Sequence, residues 1–368
     1  MGEPVSTQQL RIGVIGAGAI SGQYSRTLSR LPHLPVTAVA DLSPERAQAL
    51  AGQHPGARVT GVEELLAADD VDLVLNLTIP AVHGEIALAA TKAGKHVYGE
   101  KPLALTVEEG RAVMRSAEDA GVRVGCAPDT VLGTGIQTAR SLLDAGRIGV
   151  PVAATAFMTT PGHERWHPDP EFLYRPGGGP LLDMGPYYLT SLVHLLGPVV
   201  SVTGVSTRPT TSRVIGSGPR AGTAFDVEVD THVTGLLAHA SGAVSTLMIS
   251  FDVWAARLPR IEVYGSSGSL SVPDPNHFSG DVELFTSETP EWELVPPSAG
   301  YADGGRGIGI ADLAESLAAG GQHRVSGELG LHVLDVMETL LRAAQEGRTL
   351  PVSTPGTRPD PVAGILSF

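Results

Sequence analysis

Short apolar runs separated by stretches of helical period dominate the first third of the chain. Residues 11–15 (Arg-Ile-Gly-Val-Ile) form such a run, followed by a glycine turn and a segment that can be helical to about Leu31. The alternation then repeats, with strands at 36–40, 57–59, 71–77, 96–98 and 122–126 and helices near 43–52, 62–68, 82–93 and 106–120. Apolar strands joined by amphipathic helices predict a parallel sheet covered on both faces, a doubly wound α/β domain. After Pro128 the period changes. A helix near 136–145 and a strand near 151–159 precede a glycine-rich stretch, and beyond Gly197 strand patterns and turns alternate through 199–207, 227–238, 242–253, 260–264, 267–272 and 282–285. That pattern predicts an α+β domain with a large, mainly antiparallel open sheet, closed by helices at 309–318 and 326–346. The segment 207–223, rich in Pro, Ser, Thr and Gly, reads as a surface loop. The expected division is 1–127 for the first domain and 128–368 for the second.

The turn after the first strand is Gly16-Ala17-Gly18-Ala19-Ile20-Ser21. Gly16 permits a tight turn, and Gly18 lets main chain approach a pyrophosphate, which then rests on the amides and positive end of the following helix. Gly16, Gly18, Ala19 and Ile20 are therefore candidate dinucleotide contacts. The second strand ends at Asp41, where a carboxylate accepts from ribose hydroxyls and repels a 2′-phosphate, favouring NAD over NADP. Ligands of open α/β sheets bind beyond the carboxyl ends of the strands. Thr78, Ile79 and Lys101 follow two further strands and fall on the same rim. Glu100 either pairs with Lys101 or contacts the cofactor, and His83, near a helix start, is a capping or surface histidine or a site residue.

Lys101 stands out because the chain holds three lysines against 22 arginines. An ammonium kept here is a compact, tunable charge suited to proton chemistry. In the second half, Asp183 and Tyr187 are four residues apart and share one helical face. They form a candidate acid/base pair, or Asp183 caps the helix and Tyr187 is core. An interior proline breaks a helix, so Pro186 requires this one to start near Leu182 or Asp183. His163-Glu164-Arg165-Trp166-His167 spells HExxH, but Pro161-Gly162 before it and Pro168 after it leave no room for the helix a zinc site needs, so no metal is expected. Trp166 and His167 read instead as loop residues near a pocket or as structural anchors. His194 lies three turns from Asp183 and reads as structural.

The 368-residue length fits about two domains. A formal net charge of −14, with 39 acidic residues against 25 Lys and Arg, disfavours nucleic acid and anionic membranes as partners. One cysteine, Cys126, excludes an intrachain disulfide framework and fits a reducing compartment. Met1 to Gln9 is polar and no stretch is apolar for long enough to span a bilayer, so neither leader nor membrane span is expected and the protein reads as cytoplasmic.

Together, Gly16-Ala17-Gly18-Ala19-Ile20, the turn from Asn76 to Pro80 with His83, Glu100-Lys101-Pro102, and Gly178-Gly179 leading to Asp183-Met184-Gly185 and Tyr187 resemble the Gfo/Idh/MocA family. Its name comes from glucose-fructose oxidoreductase, inositol dehydrogenase and a rhizopine catabolism protein. The likeness covers residues 10–200, with a compatible strand order to about 350. The resemblance implies an N-terminal Rossmann domain and a C-terminal mixed sheet that often mediates dimers or tetramers. It also implies hydride transfer between NAD(P) and a hydroxyl or keto carbon of a sugar, cyclitol, related polyol or glycoside. By the same resemblance Lys101 is the catalytic-site lysine, Asp183 the site carboxylate, and Tyr187 occupies a place where many members carry histidine. A tyrosine with a reference pKa of about 10 needs help to act as a base at neutral pH, and a neighbouring Lys101 cation would supply it. The substrate candidates are Lys101, Trp166, His167, Asp183 and Tyr187. Ala127-Pro128-Asp129 replaces the Asn/Arg-containing substrate segment of several members, so no substrate is carried over. Two rivals use the same residues: an enzyme that cleaves glycosides by transient oxidation and elimination, and a non-catalytic dinucleotide- or sugar-sensing regulator.

Overall fold

The computed structural model describes residues 9–367; the polar N-terminal stretch read above for the absence of a leader lies, Gln9 apart, outside the described residues. The chain divides into two compact units, Met1–Leu132 with Tyr301–Leu331 and Leu366–Phe368, and Gly133–Gly300 with His332–Ile365.

In the first unit, strands β1 (Ile12–Ile15), β2 (Val36–Ala40), β3 (Arg58–Val59), β4 (Leu73–Asn76), β5 (His96–Gly99) and β6 (Val124–Cys126) alternate with helices α1 (Ser21–Leu28), α2 (Pro44–Ala51), α3 (Val62–Ala67), α4 (His83–Lys92) and α5 (Val107–Ala120). All pairings are parallel, in the order β3-β2-β1-β4-β5-β6. The order reverses between β1 and β4, the crevice where such sheets bind ligands. Every residue of β1 and β4 is buried, and each large aliphatic side chain so placed contributes about 1.5–3 kcal/mol. Gly13 brings α3 close, since a Cβ there would lie 2.8 Å from the Leu65 side chain. Thr106 caps α5 by accepting from the Glu109 amide, and Gly121, in the left-handed region, ends it.

The second unit holds α6 (Thr134–Asp144), β7 (Pro151–Thr159), α7 (Pro180–Leu196), β8 (Val199–Thr207), β9 (Ser212–Val214), β10 (Ala224–Asp226), β11 (His232–His239), β12 (Val244–Ser250), β13 (Ile261–Gly265), β14 (Gly268–Val272), β15 (Val282–Thr286) and β16 (Glu293–Val295). Helix α8 (Ile308–Ala319) belongs to the first unit, and α9 (Gly327–Glu346) begins in the first and continues in the second. The large sheet runs β16-β15-β14-β13-β7-β12-β11-β8, with the short strand Leu350–Pro351 at the edge. Only β7 with β12 is parallel among its pairings. Gly204 and Gly235 face each other in register, and a Cβ on either would meet Leu340 at 2.7 or 2.6 Å, so this pair lets α9 settle on the sheet. The strand alternation is legible in burial: Ala154, Ala156 and Met158 of β7 are buried while Thr155 and Phe157 are half-exposed.

Two expectations change. The segment 207–223 is not only loop: β9 within it pairs antiparallel with β10, and Arg213 on it ion-pairs with Glu164 and Asp252 of two neighbouring segments. Helix α7 starts at Pro180 rather than near Asp183, with Pro186 inside it. Proline's fixed φ suits the first helical position, and Gly179, at φ 98°, turns the chain into it two residues earlier than Pro186 alone suggested. Among the described residues no helix is long and apolar enough to cross a membrane.

Candidate active site

The first unit gathers its candidates on one rim because β1, β2, β4 and β5 run parallel and each is followed at its carboxyl end by a candidate residue. Gly16 follows β1 with φ 99°, and a Cβ there would lie 2.6 Å from the Leu77 carbonyl oxygen, so the chain's own packing requires glycine. Gly18 is different. Its φ is not positive and a Cβ would meet nothing within 4 Å; the space above it is the cradle a pyrophosphate needs. No side chain caps the start of α1, Ala19 is exposed and Ile20 half-buried, and Ser21 closes the turn by donating from Oγ to the Gly18 carbonyl at 2.7 Å. These residues fit a dinucleotide's phosphates.

Asp41 follows β2. Its side chain is 6% exposed and accepts from the amides of Ala17 (2.6 Å) and Ser43 (2.7 Å) and from the Arg46 guanidinium (2.6 Å). Burial opposes its ionisation, yet the two amides and Arg46 outweigh that and hold the carboxyl below its ordinary range. An ionised acceptor therefore stands where a ribose would lie. Next to it Leu42 is fully exposed, as is much of Ile79 after β4; two bare apolar side chains on a nucleotide rim offer cover for flat rings. Leu42 escaped the sequence reading, although an apolar residue directly after the rim acid was a usable signal.

After β4, Thr78 donates from its amide and hydroxyl to Asn76 Oδ1 at 3.3 and 2.6 Å. His83 is buried, with Nδ1 2.7 Å from the Pro102 carbonyl and Nε2 3.0 Å from the Thr78 carbonyl. The ring thus lies between the loop after β4 and the loop that carries Lys101, and a neutral imidazole donates through one nitrogen to one of the two carbonyls. Glu100 braces the same loop, accepting from the Tyr24 hydroxyl at 2.8 Å and from the Lys101 amide at 3.2 Å. Lys101 itself is half-buried just beyond β5. Asp129, in the segment that departs from the family pattern, is fully buried and accepts from the amides of Gly307 (2.7 Å) and Gly309 (3.1 Å) at the start of α8. Burial pushes its carboxyl up, against the pull of Arg306 and those amides, and its place is structural.

In the second unit, Asp183 does not cap α7; it lies in the first turn, and its Oδ2 is 3.3 Å from Nδ1 of His163. Tyr187, one turn on, is buried. The histidine arrives on a 3₁₀ turn, His163–Arg165, launched by Gly162 at φ 113°. Its ring centroid lies 4.5 Å from that of Phe251 and 5.1 Å from that of Trp166. Glu164 goes elsewhere, to Arg213 at 2.9 Å and to the Tyr174 hydroxyl, while Arg213 also binds Asp252. Trp166 is 61% exposed, with His167 packed edge-on between it and Phe172. His194 is fully buried. Sequence reasoning set His163 aside with the HExxH pattern; its partner lies 20 residues away, and nothing local signals it.

These geometries describe a nucleotide rim in one unit and a carboxylate, imidazole and indole grouped in the other. Residues 10–127 match the model of the oxidoreductase family with NAD-binding Rossmann fold, and residues 136–271 match that of the GFO/IDH/MocA C-terminal domain. A 1,5-anhydro-D-fructose reductase from Ensifer adhaerens is 30% identical over 354 residues, covering 94% of this chain and 99% of the relative. An inositol 2-dehydrogenase from Rhizobium meliloti is 26% identical with the same coverage. The solved structure of a levoglucosan dehydrogenase in complex with NADH and levoglucosan superposes with TM-score 0.80 at 22% identity, over 94% of this chain and 100% of that one, which speaks for the fold. The protein is thus an NAD-binding oxidoreductase. It belongs to the Gfo/Idh/MocA family.

Proposed function

We propose that the protein is an NAD-dependent dehydrogenase or reductase acting on a hydroxyl or keto carbon of a sugar, cyclitol or related polyol or glycoside. The observation that carries this reading is the rim of the first unit, where Gly18 leaves room for phosphates and Asp41 is kept ionised for ribose hydroxyls. The relatives named above add the substrate class. Bound NAD would supply the hydride acceptor. The protein's own groups handle the rest: the Lys101 ammonium donates to a substrate oxygen and favours its deprotonated form. Asp183 accepts from substrate hydroxyls and the Tyr187 hydroxyl shares in proton transfer. Trp166, with His167 packed beside it, covers the apolar face of a ring.

The second unit serves substrate binding and self-association in this reading. One face of its large sheet leaves Phe157, Met248, Thr234 and Val205 aligned across β7, β12, β11 and β8 and at least partly exposed. A second copy of the chain would cover it, giving a dimer or tetramer. The lone buried cysteine suits a reducing compartment such as the cytoplasm.

The test is purified protein with NAD and a panel of inositols, aldoses, anhydrosugars and glycosides, following NADH. Turnover of at least one is expected; none, with NAD binding demonstrated, rejects the reading.

A further inference from the structure

We propose that His163 is the proton acceptor of the second unit's site, with Asp183 orienting its ring and stabilising its charged form. The proposal rests on the dehydrogenase reading above. Removing a hydroxyl proton near neutral pH calls for a group that titrates there. A phenol and an ammonium have reference pKa values of about 10 and a carboxylate about 4, whereas an imidazole lies at about 6.5.

The geometry is built for that role. Gly162 has φ 113°, a conformation that L side chains rarely adopt, and this glycine makes the turn that sends His163 and Glu164 to separate partners. Glu164 anchors the turn through Arg213, which also donates to the Pro161 carbonyl at 3.2 Å. Phe251 and Trp166 then flank the imidazole, and Asp183 meets it at Nδ1. A carboxylate can only accept, so in this proposal the ring holds its proton on Nδ1, 3.3 Å from Asp183 Oδ2, and offers the lone pair of Nε2 to the substrate. Asp183 is the charge that α7 presents to the ring. On the histidine's own turn, Glu164 is paired with Arg213 and Arg165 lies over the Trp254 ring at 4.3 Å. Asp252, beyond β12, is taken by Arg213 of β9 and by Thr231.

In the oxidation direction the substrate's carbinol C–H bond breaks and hydride goes to the oxidised dinucleotide. The O–H bond breaks, its proton forms the new N–H bond at Nε2, and a ketone and an imidazolium beside the Asp183 carboxylate result. Reduction reverses each transfer.

The experiment uses the full chain as wild type, His163→Gln, Asp183→Asn and Tyr187→Phe. Nitrogen NMR of the His163 ring, assigned by its loss in His163→Gln, is expected to show the Nδ1–H tautomer and a pKa that falls in Asp183→Asn. An Nε2–H tautomer, or a titration unmoved by Asp183→Asn, overturns the couple. In kcat/KM against pH, wild type is expected to lose activity on the acid side through one group near neutrality. His163→Gln should lower kcat about 100-fold, abolish that limb and leave NADH affinity, read by fluorescence, within twofold. Tyr187→Phe should cost less and keep the limb. A limb that survives in His163→Gln, or vanishes in Tyr187→Phe, overturns the assignment while the dehydrogenase reading stands. No turnover by wild type on any polyol rejects that reading, and the acceptor role with it.

Discussion

The two units solve the placement of chemistry in opposite ways. In the first, each candidate follows closely on a strand, and the parallel sheet alone brings Gly16, Asp41, Thr78 and Lys101 to one edge. In the second, His163 and Asp183 meet through a glycine-launched turn held by an ion cluster formed from β9, Asp252 just after β12 and the turn itself. A site spelled by strand ends is read from sequence; one made by long-range packing is not.

The sharpest break of this contrast is Lys101→Met. Removing the ammonium while keeping the stem should lower kcat/KM by about 1,000-fold, within the range for positioned acid–base groups, while NAD affinity from titration calorimetry changes little. Unchanged turnover would take Lys101 out of the chemistry. Next come the two glycines of the same turn. Gly16→Ala places a side chain at φ 99° against the Leu77 carbonyl and should cost about 1–3 kcal/mol of stability, visible as a lower Tm. Gly18→Ala should leave Tm within a degree or two and weaken NAD by about tenfold; equal Tm losses for both would deny that Gly18 is kept for a ligand. Asp41→Ser should narrow the preference for NAD over NADP by about tenfold, since Arg46 then faces a 2′-phosphate without its carboxylate, as equilibrium binding of the two cofactors would show.

The smallest effect per residue concerns pH. Burial lowers the pKa of His54 and His323 in the first unit and of His239 and His332 in the second. The unfolded chain therefore binds more protons below about pH 6.5, and stability is lost as pH falls from there toward the folded-state values, each residue adding at most about 1.4 kcal/mol per pH unit. Tm measured from pH 7 to pH 5 should fall; a flat profile would show these rings protonated in the fold.

The fold was legible almost throughout, because buried strands, helix periods and the change of pattern after Pro128 each carry a local signature. The position of Gly16, Asp41, Thr78 and Lys101 just beyond strand ends was legible for the same reason. What stayed hidden depended on partners far along the chain. Arg213 sits in a segment rich in Pro, Ser, Thr and Gly, and its ion pairs with Glu164 and Asp252, far along the chain, hold it in a strand. Helix α7 starts before the point Pro186 alone marks, because Gly179 and Pro180 turn the chain into it first. His163 was visible as a letter in HExxH, but its flanking prolines, which rule out a helix, are compatible with the tight turn that delivers it to Asp183.

The central claim, hydride exchange between NAD and a polyol carbon, is tested most directly by isotope. Protein is incubated with NAD and a turned-over polyol carrying deuterium on its carbinol carbons, and the NADH is analysed by mass spectrometry. One deuterium per NADH formed is the predicted result; unlabelled NADH, or substrate consumed with no net NADH, contradicts the account.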